Sequence, residues 1–421
     1  IKIKLRIFKF GGASVKDADG VKNLYKVLSQ TGYKDTIILV SAMGKMTNSF
    51  EELVNFYFND NSKTLIHLKS IKNFHQNIIN SLFDKNKESV TLSLKNNLYE
   101  LEKFFNESNS KNYSFVYDQV VSYGEILSTT IIFSYLKIKG LDISFLDARK
   151  CIKTDNYYRD SNLDWDLTVK KIKKQIKKGR SYVTQGFIGS DNKGNTTTLG
   201  REGSDYSASI FAYSLDAKDV TIWKDVPGVL NADPRFFSDT TLLTNISYSE
   251  AIELAFYGAS VIHPKTLQPL QRKDIPLYVK SFLNPNMNGT TVSREIKIKP
   301  MIPCFIIKPN QTLLKLSSLD FSFIVEKNIS EIFELLDKFQ MKVDMIQNSA
   351  ISFSVCVNNK YGRLRDLVKQ LNTKFKVEVN ENVDLHTVRH FDQKAIDKIK
   401  NNGKKILLEQ RTNQVVQFVT I

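Results

Sequence analysis

The sequence is short of the residues that build disulfide frameworks and metal knuckles. Its 421 residues include three cysteines, Cys151, Cys304 and Cys356, none at a paired spacing. That argues against an oxidised scaffold and for a reducing compartment. The five histidines are scattered, and none stands at zinc-ligand spacing from another ligand, so a zinc site is not expected. No apolar run approaches the roughly 18 residues of a membrane span; the longest are short pieces such as TIILVSAM and TTIIF. The basic N-terminal stretch has no apolar core or small-residue cleavage site of a secretory signal. A cytoplasmic protein with no membrane partner is expected. The chain begins at Ile1, so an initiator methionine or a short leader is expected before it.

Positive charge is abundant: 60 Lys and Arg against 44 Asp and Glu give a formal net charge of +16. The densest run is KKIKKQIKKGR, residues 170–180. Trp165, Val169, Ile172 and Ile176 recur at i, i+4, i+7 and i+11, which predicts an amphipathic helix over 163–178 with its lysines on the opposite face. Gly179 stands where a C-cap belongs. Lysine is plentiful along the whole chain, so the excess reads as solvated surface, and no nucleic-acid partner is expected. The length predicts two or three domains, and 42% hydrophobic residues suffice for packed cores.

Short β-branched runs alternate with helical patterns through roughly the first 285 residues. RIFKF, TIILVSA, DISFLDA, SYVTQGFIG, VTIWKDV and PLYVKSF read as strands; 17–31, 47–60, 121–138 and 163–178 read as helices. This alternation predicts a mostly parallel sheet with helices on both faces, a three-layer αβα sandwich. Residues 60–115 break the rhythm as a polar helical insertion. NPNMNGTTVS, 284–293, reads as an exposed loop, closing a first domain at about residue 295. From 300 to 421 the order becomes β-α-β-β-α-β, the ferredoxin-like split unit, followed by a second round that is incomplete unless it borrows a strand near 303–308.

Chemistry is concentrated in five short stretches. In FKFGGASV, Lys9 precedes Gly11 and Gly12 at the end of a strand. Two glycines let backbone N–H groups approach phosphate oxygens, and a lysine adds a point charge. An ordinary turn is the competing account, and the spacing is not that of a P-loop. LGREGSDYSAS, 199–209, sets Arg201, Ser204 and Asp205 just before a helix. The arginine fork suits a carboxylate, and the aspartate suits Mg²⁺ or a polarising role beside phosphates. IWKDVPGVLNADPR carries Lys224, Asp225 and Arg235 and looks like a nucleotide-side loop. VVSYGEILS places Glu125 where it could meet an ammonium group, and LVSAMGKMTNS ends a strand with Ser41 and Thr47. All five are expected to follow strands and to share one edge of the sheet, where open α/β folds bind ligands.

KFGGASV, GREGSD, KDVPGVLNADPR and GASVIHPKTLQP together resemble the aspartate kinase (aspartokinase) family of the amino acid kinase fold. The resemblance covers essentially the whole chain, with a C-terminal region similar to paired ACT modules, one inserted in the other. It implies a carbamate kinase-like catalytic domain at 1–295 and a regulatory region at 300–421. It also implies phosphoryl transfer from Mg·ATP to the β-carboxylate of L-aspartate. By position, Lys9, Gly11 and Gly12 would hold ATP phosphates. Ser41, Thr47, Glu125, Arg201 and Ser204 would hold aspartate. Asp205 would lie near the transferred group and its metal. Lys224, Asp225, Leu230, Arg235, Ser260 and Val261 would face the nucleotide. The catalytic set would be Lys9, Arg201 and Asp205.

Four departures stand out. Ala13 replaces the family's usual threonine, and Glu202 replaces a glycine and is expected to point away from ATP. Lys224 stands where many members have threonine, and Ser260 where a lysine is frequent. A carboxylate acceptor needs no general base, so positioning and cationic clamps are the expected catalytic means. Rival readings are a sibling kinase acting on glutamate, acetylglutamate, carbamate or a nucleotide, and a decayed amino-acid-sensing protein. An amino-acid effector, lysine or threonine, is expected at Asn328, Ser330, Asp344 and Ser349, although Ala350 stands where a lysine-inhibited relative can carry an acid. A homodimer or higher homo-oligomer through the ACT-like region is expected too.

Overall fold

The structure is a computed structural model that describes residues 5–259, 262–320, 322–401 and 403–421. Its contacts divide the chain into two compact units. The first comprises Ile1–Val229, Leu242–Ile252 and Val261–Ile298; the second comprises Leu230–Thr241, Glu253–Ser260 and Lys299–Ile421. Two short segments from within the first 295 residues therefore cluster with the C-terminal region.

The first unit is built on strands β1 (Arg6–Phe10), β2 (Thr36–Val40), β3 (Ile143–Leu146), β4 (Ser181–Gln185), β5 (Asp219–Lys224), β6 (Asn245–Ser247), β7 (Leu277–Ser281) and β8 (Thr290–Ser293). They form one sheet in the order β6-β8-β7-β5-β1-β2-β4-β3, parallel throughout except where β7 meets β8. Every residue of β2 and of β4 is buried, as a parallel sheet covered on both faces requires. Helices α1 (Ala18–Thr31), α2 (Met46–Asn59), α3 (Thr64–Leu82), α4 (Lys87–Glu107), α5 (Tyr113–Val121), α6 (Tyr123–Ile138), α7 (Trp165–Gln175), α8 (Gly203–Leu215), α9 (Tyr248–Tyr257) and α10 (Pro264–Arg272) succeed one another in chain order. The αβα expectation holds. The expected insertion is the α3–α4 hairpin, and its Leu68, Ile71, Ile79, Leu94 and Leu101 join the core that holds Phe10 and Trp223.

Local chemistry explains most boundaries. Asp17 accepts a hydrogen bond from the Gly20 amide at the start of α1, and Gly32 ends it at φ 80°. Asp164 caps α7 in the same way through Leu167 N–H. α7 stops short of the expected Gly179. Ile176 turns extended, and the Lys177 N–H donates to Tyr182 Oη instead of continuing the helix. Gly179 takes φ 75° in the next turn. The helix read at 121–138 is α6, which α5 enters through Ser122.

The second unit carries β9 (Cys304–Ser318), α11 (Glu326–Lys338), β10 (Lys342–Asn348), β11 (Ser352–Asn358), α12 (Leu364–Leu371), β12 (Phe375–Arg389), α13 (Gln393–Lys400), β13 (Ile406–Arg411) and β14 (Val415–Thr420). Its antiparallel sheet runs β10-β11-β9-β12-β14-β13. The incomplete round borrows the strand named for it. FKVEVNENV and DLHTVRHF merge into the single strand β12, and β9 extends back to Cys304. The register between these long strands shifts twice, between Lys308 and Leu313. Beyond that irregularity Leu313–Ser318 pair with Phe375–Asn380 in one β-α-β-β-α-β module. Before it Cys304–Lys308 pair with Leu385–Arg389 in the other. One module is thus inserted in the other, each over its own apolar cluster.

Candidate active site

Alternation along β1 decides where Lys9 goes. Phe8 and Phe10 turn to one face, where Trp223 of β5 stacks on Phe10 (6.0 Å, 12°) and meets Phe8 edge-on (5.7 Å, 87°). Lys9 must then turn to the other face. There its Nζ lies 2.5 Å from Asp205 Oδ1 in the first turn of α8, with the two side chains 10% and 3% exposed. Lys224 at the end of β5 brings a second ammonium to 3.9 Å from Asp205 Oδ2. Burial alone would push the Asp205 carboxyl up, but Lys9 and Lys224 hold it below its ordinary range. Asp205 is therefore an ionised carboxylate between two lysines at the C-terminal edge of the sheet.

The glycines of the opening motif have distinct reasons. A Cβ on Gly11 would stand 3.3 Å from Lys9 Nζ, so Gly11 clears the lysine's own space. A Cβ on Gly12 would meet the carbonyls of Ala42 and Gly44 at 2.9 Å. The Gly44 N–H in turn donates to Gly12 C=O. Gly12 thus lets the turn after β1 lie against the turn after β2. Ser14 fastens it to β5 by donating to Trp223 C=O at 3.2 Å.

Glu125 reaches the same edge from another direction. The expectation that each of the five loops follows a strand fails here, because its segment follows helix α5 and Glu125 lies in the first turn of α6. Gly124 permits the approach, since a Cβ there would lie 2.9 Å from Ala42 Cβ. The Ala42 N–H donates to Glu125 Oε1 at 3.1 Å, while Oε2 is buried without a hydrogen-bond partner. Burial pushes the Glu125 carboxyl up to about 8, against the opposing pull of Ala42 N–H and of Lys9. A buried, half-satisfied carboxyl near Lys9 is prepared for a cationic group.

Ser204 is buried beside Asp205, and Gly186 after β4 makes room for it; a Cβ there would lie 2.6 Å from Ser204 Cβ. Asp205 sits inside α8, not before it. The cap position belongs to Glu202, in the left-handed region at φ 53°. Glu202 raises the affinity of His263 for protons, although burial keeps that imidazole low overall. Arg201 is exposed, as is Asp225; Ser41 and Thr47 are half-buried at the end of β2 and the start of α2. Ser260 and Val261 lie outside the described residues.

Other expected positions belong to the second unit. Leu230 and Arg235 belong to the segment Leu230–Thr241 that clusters with the second unit. The Arg235 guanidinium is already engaged by Asp233, Nε to Oδ1 at 3.0 Å and Nη2 to Oδ2 at 2.6 Å. In the second unit Asn328 caps α11 by accepting from Val325 N–H, and Ser349 turns β10 into β11 by hydrogen bonding Ser352. The Ile324 N–H donates to Ala350 C=O, so this turn and the start of α11 are neighbours, with Ser330 exposed on the helix. The Asp344 side chain is 4% exposed and ion-paired to Lys308 at 2.7 Å and Lys342 at 3.7 Å. Sequence reasoning missed Gly186 and the Ala42 amide, since close approach between distant segments leaves no local signal.

Comparison with known proteins agrees with the fold. Residues 4–281 match the profile of the amino acid kinase family. The chain is 31% identical to lysine-sensitive aspartokinase 3 of Escherichia coli (strain K12) over 393 residues, 90% of this chain and 85% of that protein. It is 28% identical to the aspartokinase of Chlamydia pneumoniae over 353 residues, 82% of this chain and 76% of that protein. The crystal structure of E. coli aspartokinase III in complex with aspartate and ADP superposes with a TM-score of 0.83 at 27% identity, covering 99% of this chain and 96% of that one. The same protein in complex with lysine and aspartate gives 0.82. The strand that carries Lys9, the helix that carries Asp205 and the two fused C-terminal modules all fall within this similarity, and the chain belongs to the amino acid kinase family, on its aspartokinase branch.

Proposed function

We propose that this chain transfers the γ-phosphoryl group of ATP to the β-carboxylate of L-aspartate, giving 4-phospho-L-aspartate. The observation that carries the reading is the buried Lys9–Asp205 pair, with Lys224 and Glu125 beside it, on the ligand-binding edge of a parallel sheet. The acceptor carboxylate is already a nucleophile, so the barrier is the repulsion of two anions and the charge on the transferring group. Lys9, steered by Asp205, supplies positive charge to the phosphates, and Lys224 adds a second cation. Gly11 keeps the path beside the lysine clear. Arg201 offers its fork to the α-carboxylate, Glu125 takes the ammonium, and Ser41, Thr47 and Ser204 supply hydroxyls. Asp225 faces the nucleotide.

Magnesium would come with ATP. Such ions bind through one or two carboxylates plus phosphate oxygens. Asp205, held ionised, is the carboxylate this chain can offer; among the described residues no group of three His, Cys, Asp or Glu side chains is placed to hold a metal. The ion would offset phosphate charge.

The second unit is proposed to sense an amino acid, lysine or threonine, near Asn328, Ser330 and Ser349, and to pair with a second copy. The solved E. coli relative was crystallised in complex with lysine. No helix among the described residues is long and apolar enough to cross a membrane. The deciding assay couples ADP release to aspartate, glutamate, acetylglutamate, carbamate and UMP as acceptors, with hydroxylamine trapping the acyl phosphate. Turnover with aspartate and hydroxamate formation are expected. Preference for another acceptor, or none, would refute the proposal.

A further inference from the structure

Asp118 of α5 is fully buried, and among the described residues no cation is paired with its carboxylate. It is held by amides and one hydroxyl. Thr198 N–H donates to Oδ2 at 2.8 Å, Thr198 Oγ1 donates to Oδ1 at 2.7 Å, and Arg159 N–H approaches both oxygens at 3.1 Å. The two clamped segments also bond each other, Ser161 N–H to Thr198 C=O at 3.0 Å. Three parts of the chain, α5, the 159–161 turn and the short strand Thr196–Thr198, thus meet on one side chain.

The chain neighbours of each clamped residue give the junction its importance. Thr198 is three residues before Arg201. Arg159 is strained into the left-handed region at φ 75°, and the next residue, Asp160, packs where a Cβ of Gly200 would be. Gly200 itself has φ 76°, and Asp160 is held through the same carboxylate oxygen by Lys265, Nζ to Oδ1 at 2.5 Å. The turn that presents Arg201 is therefore gripped on its entering strand by Asp118 directly and at Gly200 through Asp160.

We infer that Asp118 is a positioning residue for the phosphoryl acceptor: its carboxylate, by pinning Thr198 to Arg159, sets where the 199–202 turn holds the Arg201 fork. This rests on the reading that Arg201 grips the substrate's carboxylate. An ionised carboxylate is the side chain that accepts all of these bonds; an amide has one acceptor oxygen and turns N–H donors toward the others. The clamp is also charge-dependent. Burial pushes the Asp118 carboxyl up to about 6, against the bonds from Thr198 and Arg159. The charged and titratable groups that face it are Arg159, Tyr117 and Tyr158, with Glu51 behind Tyr117 and Asp191 behind Tyr158. Burial raises both tyrosines, Tyr158 to about 12, and the Asp191 hydrogen bonds outweigh its burial to hold it low.

The test uses the full chain with Asp118→Asn and Thr198→Val. In Asp118→Asn the KM for aspartate should rise roughly tenfold, with kcat and the KM for ATP within about twofold. In the wild type KM for aspartate should climb more steeply as pH falls through about 6, on top of the slope that Glu125 gives below about 8, and this added steepening should vanish in the variant. Thr198→Val removes one of the bonds and should raise KM roughly two- to fivefold; it decides the matter if Asp118→Asn does not fold. Amide exchange of the 197–203 peptide, read without substrate, should quicken in either variant. Unchanged KM, an added steepening that persists below about 6 or unchanged exchange overturns the proposal. If the wild type turns over no aspartate, the functional reading falls, and the exchange measurement alone judges the clamp.

Discussion

Lys9 and Asp205 form a buried ion pair, Nζ to Oδ1 at 2.5 Å, between the end of β1 and the first turn of α8. Neither half of the pair is independent of the other. A buried charge that loses its partner costs more than the pair contributes, of order 3–5 kcal/mol. Asp205 is accordingly both the orienter of Lys9 and a condition for burying it.

Asp205→Asn should therefore lower kcat by about 100-fold or more, the scale of a lost electrostatic partner in a preorganised site. It should also lower Tm, because Lys9 keeps its charge. Lys9→Met should lower kcat as strongly, and pairing it with Asp205→Leu should recover stability but no activity. Steady-state kinetics and thermal unfolding of the three proteins check this. A wild-type kcat in Asp205→Asn would leave the aspartate a helix-terminus role only.

Much of this was legible in the sequence, and the limits have physical causes. The sheet could be read because β2 and β4 are apolar on both faces and bounded by glycine and polar turns. The place of Lys9 at the sheet edge could be read because a strand, a lysine and two glycines adjoin in the chain. The α7 terminus was misplaced because tertiary contact, Lys177 N–H on Tyr182, overrode a glycine signal. The ion pair of Asp344 was not legible for a similar reason: its counter-ion Lys308 is 36 residues away in the chain. Merging of two strand patterns into β12 was also invisible, since an extended chain passes from one module to the next with no break in alternation to mark it. The borrowed strand, by contrast, was predictable from the count of elements alone.

The Glu125 carboxyl gives the site a pH dependence with a definite sign. Its folded value is about 8 against an ordinary 4.5. Below about 8 the free protein carries it protonated, so taking an ammonium group requires a proton to leave. KM for aspartate should then fall as pH rises, by at most about tenfold per unit, and flatten above pH 8. Glu125→Gln should remove this slope. Arg201→Lys should keep the slope but raise KM at every pH, since it retains charge and loses the fork. Stability runs the other way. The folded state binds the extra proton between pH 4.5 and 8, so the wild type loses stability as pH rises through that window. Glu125→Gln should show a higher Tm than wild type at pH 9 and an equal one at pH 4; an equal Tm at both would contradict the raised carboxyl.

Gly186 tests how closely β4 and α8 must approach. A Cβ would lie 2.6 Å from Ser204 Cβ and 2.9 Å from its Cα, so no rotamer of Ser204 relieves the overlap. Gly186→Ala should cost about 1–3 kcal/mol as overpacking does, and it should displace the turn that carries Ser204 and Asp205. A fall in kcat larger than the loss of stability explains is expected at a temperature where the variant is fully folded. Gly194→Ala, where a Cβ meets nothing within 4 Å but φ is 85°, serves as the comparison: strained backbone, unchanged kinetics.

The internal pairing of Asp344 separates a structural role from an effector-binding one. Its side chain is 4% exposed, and Lys308, 16% exposed, approaches it at 2.7 Å while also donating to Phe256 C=O. Asp344 stands in β10 where the register with β11 shifts between Val343 and Met345, so the carboxylate fills an irregular position in the ladder. A side chain so engaged can take an effector's ammonium group only by releasing Lys308. Asp344→Ala should then cost about 3 kcal/mol at most and lower Tm, because Lys308 stays charged in a partly buried place. Asp344→Leu combined with Lys308→Met should recover most of that loss. Inhibition by lysine or threonine, measured on the double variant, decides the role. If it persists with unchanged half-saturation, Asp344 is a counter-ion and the effector is held by the Asn328, Ser330 and Ser349 region. If the stable double variant binds effector normally in calorimetry yet is no longer inhibited, the pair carries the coupling. Loss of binding itself would return Asp344 to the effector's ligands.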